Sequence, residues 1–335
     1  MKLIDIGGEF ELIDHLAGIA GGAGAGHPQL VAGIGDDAAV LRVAPHPHPL
    51  LLVTTDLLTE GHHFNRRWSE AEHIGIKAAE CNLSDIAAMG GSPTWMFVSL
   101  VIAPDTDLAW CEGLYRGLSA AIDPHGVVIA GGDTTAGEVN TVNITLLGTV
   151  APDLLRLRSH ARPGDLLAVT GTLGASAAAL ALLTAGHQPG AYLLAKHRTP
   201  RCRLDLSGRL APLAHAMIDI SDGLASEVRH ICKSSRVGAE IDAAAIPLHP
   251  DVRETGNVLR IDPLDFALTG GEDFELLFSI TPENFQILLQ QGLALHRVGR
   301  VTAAAGEAVL MHADGRREPL SGGFDHFAKS APSRL

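Results

Sequence analysis

Short apolar runs rich in β-branched residues alternate along the chain with longer stretches whose hydrophobic positions recur every three to four residues. An amphipathic stretch opens the sequence and reads as a helix, followed by a glycine-rich loop at 20–29. Residues 50–55 (LLLVTT) predict a buried strand ending at Asp56. A helix follows, with Ser69 and Glu72 spaced as a capping box and Gly90-Gly91 as its stop. Residues 95–103 predict a strand, 106–122 a helix, 127–130 a strand leading into "GGDTTAG", and 141–150 another strand. Further on, 166–171 predicts a strand, 174–185 an alanine-rich helix, and a further helix starts near 200. "AMIDISDGL" (216–224) then leads into a helix reaching about 235, with strands near 239–242, 274–280 and 296–302.

This alternation predicts an α/β (α+β) architecture of mixed sheets flanked by helices. No fixed-period repeat interrupts it. At 335 residues the chain exceeds one ordinary core and suits two domains. Between 151 and 165, Pro152, Pro163 and Gly164 bracket an arginine-bearing connection, "RLRSHARPGD". The boundary belongs there, giving an N-terminal domain over 1–150 and a C-terminal domain over 151–335.

Charge narrows the function. The formal charge of -13 repels nucleic acid and anionic membranes, so neither is expected as a partner. Cys81, Cys111, Cys202 and Cys232 form no CxxC pair and read as reduced thiols. The acidic N-terminal stretch lacks the pattern of a signal peptide, and no apolar run is long enough to span a bilayer; a cytoplasmic protein is expected.

The recurring chemical event is a carboxylate after an apolar strand or beside glycine. It occurs at Asp36-Asp37 in "GIGDDAAVL", at Asp56, at Asp133 in "GGDTT", at Asp219 and Asp222 in "IDISDGL", and at Glu272-Asp273 in "GGEDFEL". Taken singly, such an acid is usually a turn or helix cap. Together they suit a ligand site at strand ends. Asp85 adds weight, because Ile74, Ala78, Cys81 and Asp85 share one apolar helical stripe and Lys77 lies off it. A carboxylate facing a core must be paired, protonated or metal-bound. Hard oxygen ligands without a Cys/His cluster suit Mg²⁺, and clustered aspartates with Mg²⁺ imply phosphate chemistry. His62-His63 stands close after Asp56, where contact with substrate is the more natural role than metal binding. Arg158 is either a surface arginine or a fork that holds phosphate. No P-loop, Rossmann fingerprint or nucleophile elbow is present.

Taken in order, "GIGDDAAVL", "VTTDLLTEGHHF", "KAAECNLSDIAAMGGSP", "GGDTTAG", "RSHARPGD", "VTGTLGAS", "IDISDGLASE", "LTGGEDFELLF" and "GGFDHF" resemble the thiamine-monophosphate kinases. That family shares a superfamily with aminoimidazole ribonucleotide synthetase and selenophosphate synthetase. The resemblance runs from about residue 6 to residue 328. "GGDTT" or "SDGL" alone would fit several members of the superfamily, whereas "GGEDFEL" and "GGFDHF" are specific to the kinases.

The resemblance implies direct, in-line transfer of the γ-phosphoryl group of ATP onto thiamine monophosphate, the last step of thiamine diphosphate synthesis. It implies several Mg²⁺ ions held by Asp37, Thr54, Thr55, Asp56, Asp85, Asp133, Asp219 and Asp222. Among these, Asp56, Asp85, Asp133 and Asp222 would be catalytic. Gly132, Asp133, Arg158 and Ser221 would contact ATP, and His63, Glu272 and Phe324 would contact thiamine monophosphate. Phe324 would stack on the thiamine rings or serve as a C-terminal core anchor. A homodimer joined through the N-terminal domains is also implied. Another ATP-dependent enzyme of the superfamily, or a non-catalytic nucleotide- and Mg²⁺-binding protein, are the alternatives.

Overall fold

The computed structural model describes residues 29–45 and 48–324. The expected opening helix, most of the 20–29 loop and the end of "GGFDHF" lie outside the described residues. Two sheets organise the rest. The first contains β1 (Leu30–Ala32), β2 (Ala39–Leu41), β3 (Leu50–Thr59), β4 (Ser92–Ile102), β5 (Val128–Ala136) and β6 (Thr141–Val150), in the order β1-β2-β3-β6-β4-β5. All its pairings are antiparallel except β4 with β5. That parallel step needs a crossover, which α2 (Leu108–Ile122) supplies.

One face of this sheet packs on α1 (Ala71–Ala88) and α2, burying Leu52, Val98, Ile144 and Leu146 against Ile74, Leu83, Leu114 and Leu118. The alternation of strand side chains sends Leu57, Trp95 and Phe97 to the other face, where they are exposed.

The second sheet runs β13 (Arg317–Pro319), β12 (Ala308–Met311), β9 (Gly238–Asp242), β11 (His296–Thr302), β7 (Leu166–Val169), β10 (Leu276–Ile280), β8 (Ala216–Asp219). Only β9 with β12 is parallel. The helices of this half are α3 (Ala175–Thr184), α4 (Ala191–Arg198), α5 (Leu204–Leu210), α6 (Leu224–Ser235), α7 (Pro250–Leu259), α8 (Pro263–Thr269) and α9 (Pro282–Gln290). A further apolar cluster joins the halves: Ala87 and Ala88 of α1 pack with Leu210, Met217, Leu276 and Phe278. The end of α1 is therefore gripped by the second sheet, which matters for the acids it carries.

Four expectations change. The strand at 50–55 does not end at Asp56; β3 continues to Thr59 because its ladder with β6 is unbroken from Leu50↔Val150 to Thr59↔Thr141. Ladder length, not composition, sets its end. Ser69 caps nothing: its N–H donates to the Asn65 carbonyl in a preceding turn, and α1 starts after Glu70 without a side-chain cap. "GGDTTA" is strand and not turn. Gly132 is required there because a Cβ would overlap the Val98 carbonyl oxygen on the neighbouring strand. Finally, β1, β2, α4, α7, α8, α9, β12 and β13 are additional elements, each ten residues or fewer.

Candidate active site

The acids are brought together by strand ends and one helix. Asp37 follows the Gly33–Gly35 turn, Asp85 lies on α1, and Asp219 is the last residue of β8. One carboxylate oxygen from each lies within 4.8 Å of the other two. Asp37 and Asp219 are buried and Asp85 half-buried. Ser84, one residue before Asp85, donates its hydroxyl to Asp219 Oδ2 at 2.7 Å. Thr54 of β3 donates to Asp85 Oδ2. Both contacts join separate elements, so the cluster is held by tertiary structure.

Electrostatics mark the cost of this arrangement. Burial, followed by the charges of Asp56, Asp219 and Asp37, pushes the Asp85 carboxyl well above its usual range. Burial and then Asp37 push Asp219 up in the same direction. Asp56 is raised to about 6 by burial. Asp36 is raised to about 7, by burial first and then by Asp37. Three close carboxylates in a desolvated pocket are mutually repulsive unless protons or a cation intervene. The donors are all hard oxygens from three separate elements, which fits a divalent ion such as Mg²⁺ and gives no foothold to a thiophilic metal.

The Asp doublet divides its work. Asp37 receives the Arg158 guanidinium at 2.6 Å (Nη2 to Oδ1). Asp36 accepts the Arg158 backbone N–H at 3.3 Å and the Asp37 N–H at 3.4 Å. The glycine turn is thus tied to the connection between the two halves. His230 on α6, half-buried and near Arg158, is lowered to about 4 by desolvation and then by that guanidinium.

A cleft of about 630 Å³ opens beside the cluster, lined by the acids Asp56, Asp85, Asp219 and Asp222 together with Ser221, His63, Glu272, Phe274 and Phe324. Its second-domain wall is a tight backbone construction. Gly271 (φ +73°) approaches the Ser221 carbonyl so closely that a Cβ would overlap it. Glu272 (φ +59°) then donates its N–H to the same carbonyl at 2.8 Å. Phe324 donates its N–H to the Asp222 carbonyl at 2.9 Å, which brings the C-terminal segment onto the acidic loop. Asp222 is held in turn by Glu227, buried on α6, whose Oε1 accepts the Asp222 N–H at 2.9 Å.

Of the expected metal ligands, Asp56 and Asp222 line the cleft outside the three-carboxylate group, and two others are set apart from it. The Thr55 hydroxyl points to the opposite face of β3 from Thr54 and donates to the Ile144 carbonyl at 2.9 Å, although Thr55 also borders the cleft. Asp133 is exposed on the edge strand β5, where it pairs in register with Ser99; with Gly132 and Tyr115 it lines a separate hollow.

Lys77 was not among the expected site residues, yet it is 4% exposed and its ammonium enters the same cleft, 2.6 Å from Glu272 Oε1. The signal was available, since Lys77, Cys81 and Asp85 recur at i, i+4 and i+8. Burial and then Asp56 push the Cys81 thiol well above its usual value, which disfavours the thiolate.

Residues 35–150 match the family model for the AIR synthase related protein N-terminal domain, and residues 162–312 match its C-terminal domain. Thiamine-monophosphate kinase of Escherichia coli O157:H7 is 37% identical over 306 residues, covering 88% of this chain and 92% of the relative. The enzyme of that name from Bacillus subtilis (strain 168) is 35% identical, covering 90% and 95%. A solved structure described as AaThiL complexed with AMPPCP and TMP superimposes with a TM-score of 0.84 at 32% identity, covering 97% of this chain and 99% of that one. Hydrogenase maturation protein HypE, at 20% identity and a TM-score of 0.71, shares the fold alone. With two-domain architecture and sequence in agreement over most of its length, the chain belongs to the family of the thiamine-monophosphate kinases.

Proposed function

We propose that this protein transfers the γ-phosphoryl group of ATP to the phosphate of thiamine monophosphate, giving thiamine diphosphate and ADP. The observation that carries the reading is the Asp37–Asp85–Asp219 cluster, two of whose acids, Asp85 and Asp219, line the same cleft as His63, Glu272, Phe274 and Phe324. In the transfer, the bond from the γ-phosphorus to the β,γ-bridging oxygen breaks and a bond to an acceptor phosphate oxygen forms. The acceptor is already anionic at neutral pH, so the protein needs no strong base. Alignment and charge management carry the rate.

Mg²⁺ bound by Asp37, Asp85 and Asp219, with Asp56 and Asp222 bordering the same space, would neutralise both the carboxylates and the phosphate oxygens. Arg158 holds Asp37 in place, and its fork is of the kind that also engages phosphate. Ser221 lies on the acidic loop beside Asp222, where a polyphosphate would pass. His63, Glu272 and Phe324, which line the same cleft, orient the thiamine moiety. Asp133 and Gly132, with Tyr115, line the hollow assigned to another part of the nucleotide.

The same reading makes the protein a homodimer through the open face of the first sheet, supported by exposed Leu57, Trp95 and Phe97. Its place is the cytoplasm, in keeping with ATP as donor; among the described residues no helix is long and apolar enough to cross a membrane.

The test is ³¹P NMR of ATP, thiamine monophosphate and Mg²⁺ with wild type and with Asp56→Asn. Diphosphate should form, stop on addition of EDTA, and slow by about a hundredfold or more in the variant. Undiminished turnover by Asp56→Asn would remove Asp56 from the machinery.

A further inference from the structure

Lys77 is the side chain in the cleft whose role the carboxylate chemistry does not explain. It projects from α1 of the first half, is nearly inaccessible to solvent, and makes two directed contacts. Its ammonium lies 2.6 Å from Glu272 Oε1 in the second half and donates to the His63 carbonyl oxygen at 2.9 Å. His63 is itself anchored, since its Nδ1 accepts the Thr59 N–H at 3.0 Å. On the other side, Glu272 Oε2 accepts the Ser176 hydroxyl at 3.2 Å, and Ser176 Oγ is 2.9 Å from His197 Nδ1. The backbone of Glu272 is held in the left-handed region by its bond to Ser221.

We propose that Lys77 is a positioning residue for substrate recognition. It locks the His63 turn of one domain to the Glu272 turn of the other and thereby fixes the organic-ring end of the cleft. This rests on the reading of the cleft as a thiamine monophosphate site. A buried ammonium between a carboxylate and a carbonyl is a rigid, charge-assisted strut, and losing it takes from Glu272 the cation 2.6 Å away while the Ser176 hydroxyl and the His197 ring stay on its other oxygen. Lys77 therefore acts through Glu272 and not on the transferring phosphoryl group. Its removal weakens the affinity for thiamine monophosphate and leaves the nucleotide end of the cleft in place.

Steady-state kinetics and calorimetry on the full chain test this, with Lys77→Met, Lys77→Arg, Ser176→Ala and Glu272→Gln. Lys77→Met should raise KM and Kd for thiamine monophosphate about tenfold or more, with KM for ATP changed less than about twofold. Lys77→Arg should recover part of the loss. Ser176→Ala, which removes the opposite arm and leaves the lysine in place, should raise KM for thiamine monophosphate by a smaller factor; it also reads the clamp if Lys77→Met fails to fold. The double variant Lys77→Met/Glu272→Gln should be no worse than Glu272→Gln alone.

A fall in kcat of a hundredfold with unchanged KM would overturn the proposal, as would full additivity in the double variant. If wild type binds thiamine monophosphate but does not phosphorylate it, the proposed reaction falls, while the calorimetric comparison still decides the role of Lys77. If wild type binds no thiamine monophosphate, both fall.

Discussion

The Ser84 hydroxyl of α1 donates to the Asp219 carboxylate at the end of β8, 2.7 Å away. A helix of the first domain thus aims an acid of the second, and the adjacent residue, Asp85, joins it in one cluster. Replacing Ser84 by alanine leaves a buried carboxylate short of a donor. The expected loss is about 1–3 kcal/mol in denaturant unfolding without divalent ions, shrinking when Mg²⁺ is present. An equal loss with and without Mg²⁺ would show that Ser84 supports only the domain contact.

Asp85→Asn should separate stability from ion binding. Relieving repulsion with Asp56, Asp219 and Asp37 should leave its Tm in EDTA at or above that of wild type. Wild type should gain stability with Mg²⁺, about 2.7 kcal/mol at a hundredfold excess over Kd, and the variant should gain almost none. Thermal shift at graded Mg²⁺ measures both; identical gains would dissolve the proposed ion site.

Asp273 makes stability depend on pH. Buried, and accepting the Gly174 N–H at 2.8 Å, it is pushed by desolvation from the usual 3.8 to about 7. The folded protein then holds this proton more tightly than the unfolded chain. The associated stability is complete below the unfolded value and is lost as pH rises through about 7. Asp273→Asn should therefore gain on wild type between pH 5 and pH 7, by at most about 1.4 kcal/mol per pH unit. Denaturant midpoints that change in parallel with pH would refute this.

Gly132→Ala should be costly where Gly131→Ala is not. A Cβ at 132 overlaps the Val98 carbonyl, whereas one at 131 meets the Phe97 ring at an ordinary 3.4 Å. The expected destabilisation at 132 is about 2 kcal/mol or more, since the edge strand must shift from β4. Equal unfolding midpoints for the two variants would count against the close approach.

Much of this was readable in the chain. Apolar runs located the long strands and helices, because burial imposes periods of two and 3.6 on any sequence. The positions of Asp37, Asp56, Asp85, Asp219 and Asp222 were legible because acids at strand ends and on apolar stripes conflict with desolvation. The residue order also carried the family. Boundaries were less accessible: β3 outran its apolar run because β6 was long enough to pair with it, and Ser69 lost its cap role to a turn begun at Asn65.

What only the tertiary structure decided is which acids meet. Local sequence placed Asp133 among the same candidates as Asp85, and the family resemblance added Thr55. Strand alternation and sheet edge then set their side chains apart from the cluster, while Ser84, Asp219 and Arg158 were drawn in from distant segments. Lys77 reached Glu272 across 195 positions of chain separation, because α1 is gripped between the two sheets. Charge and polarity are local properties that a sequence displays. Proximity between distant carboxylates and cations follows from packing, and that is where the site was made.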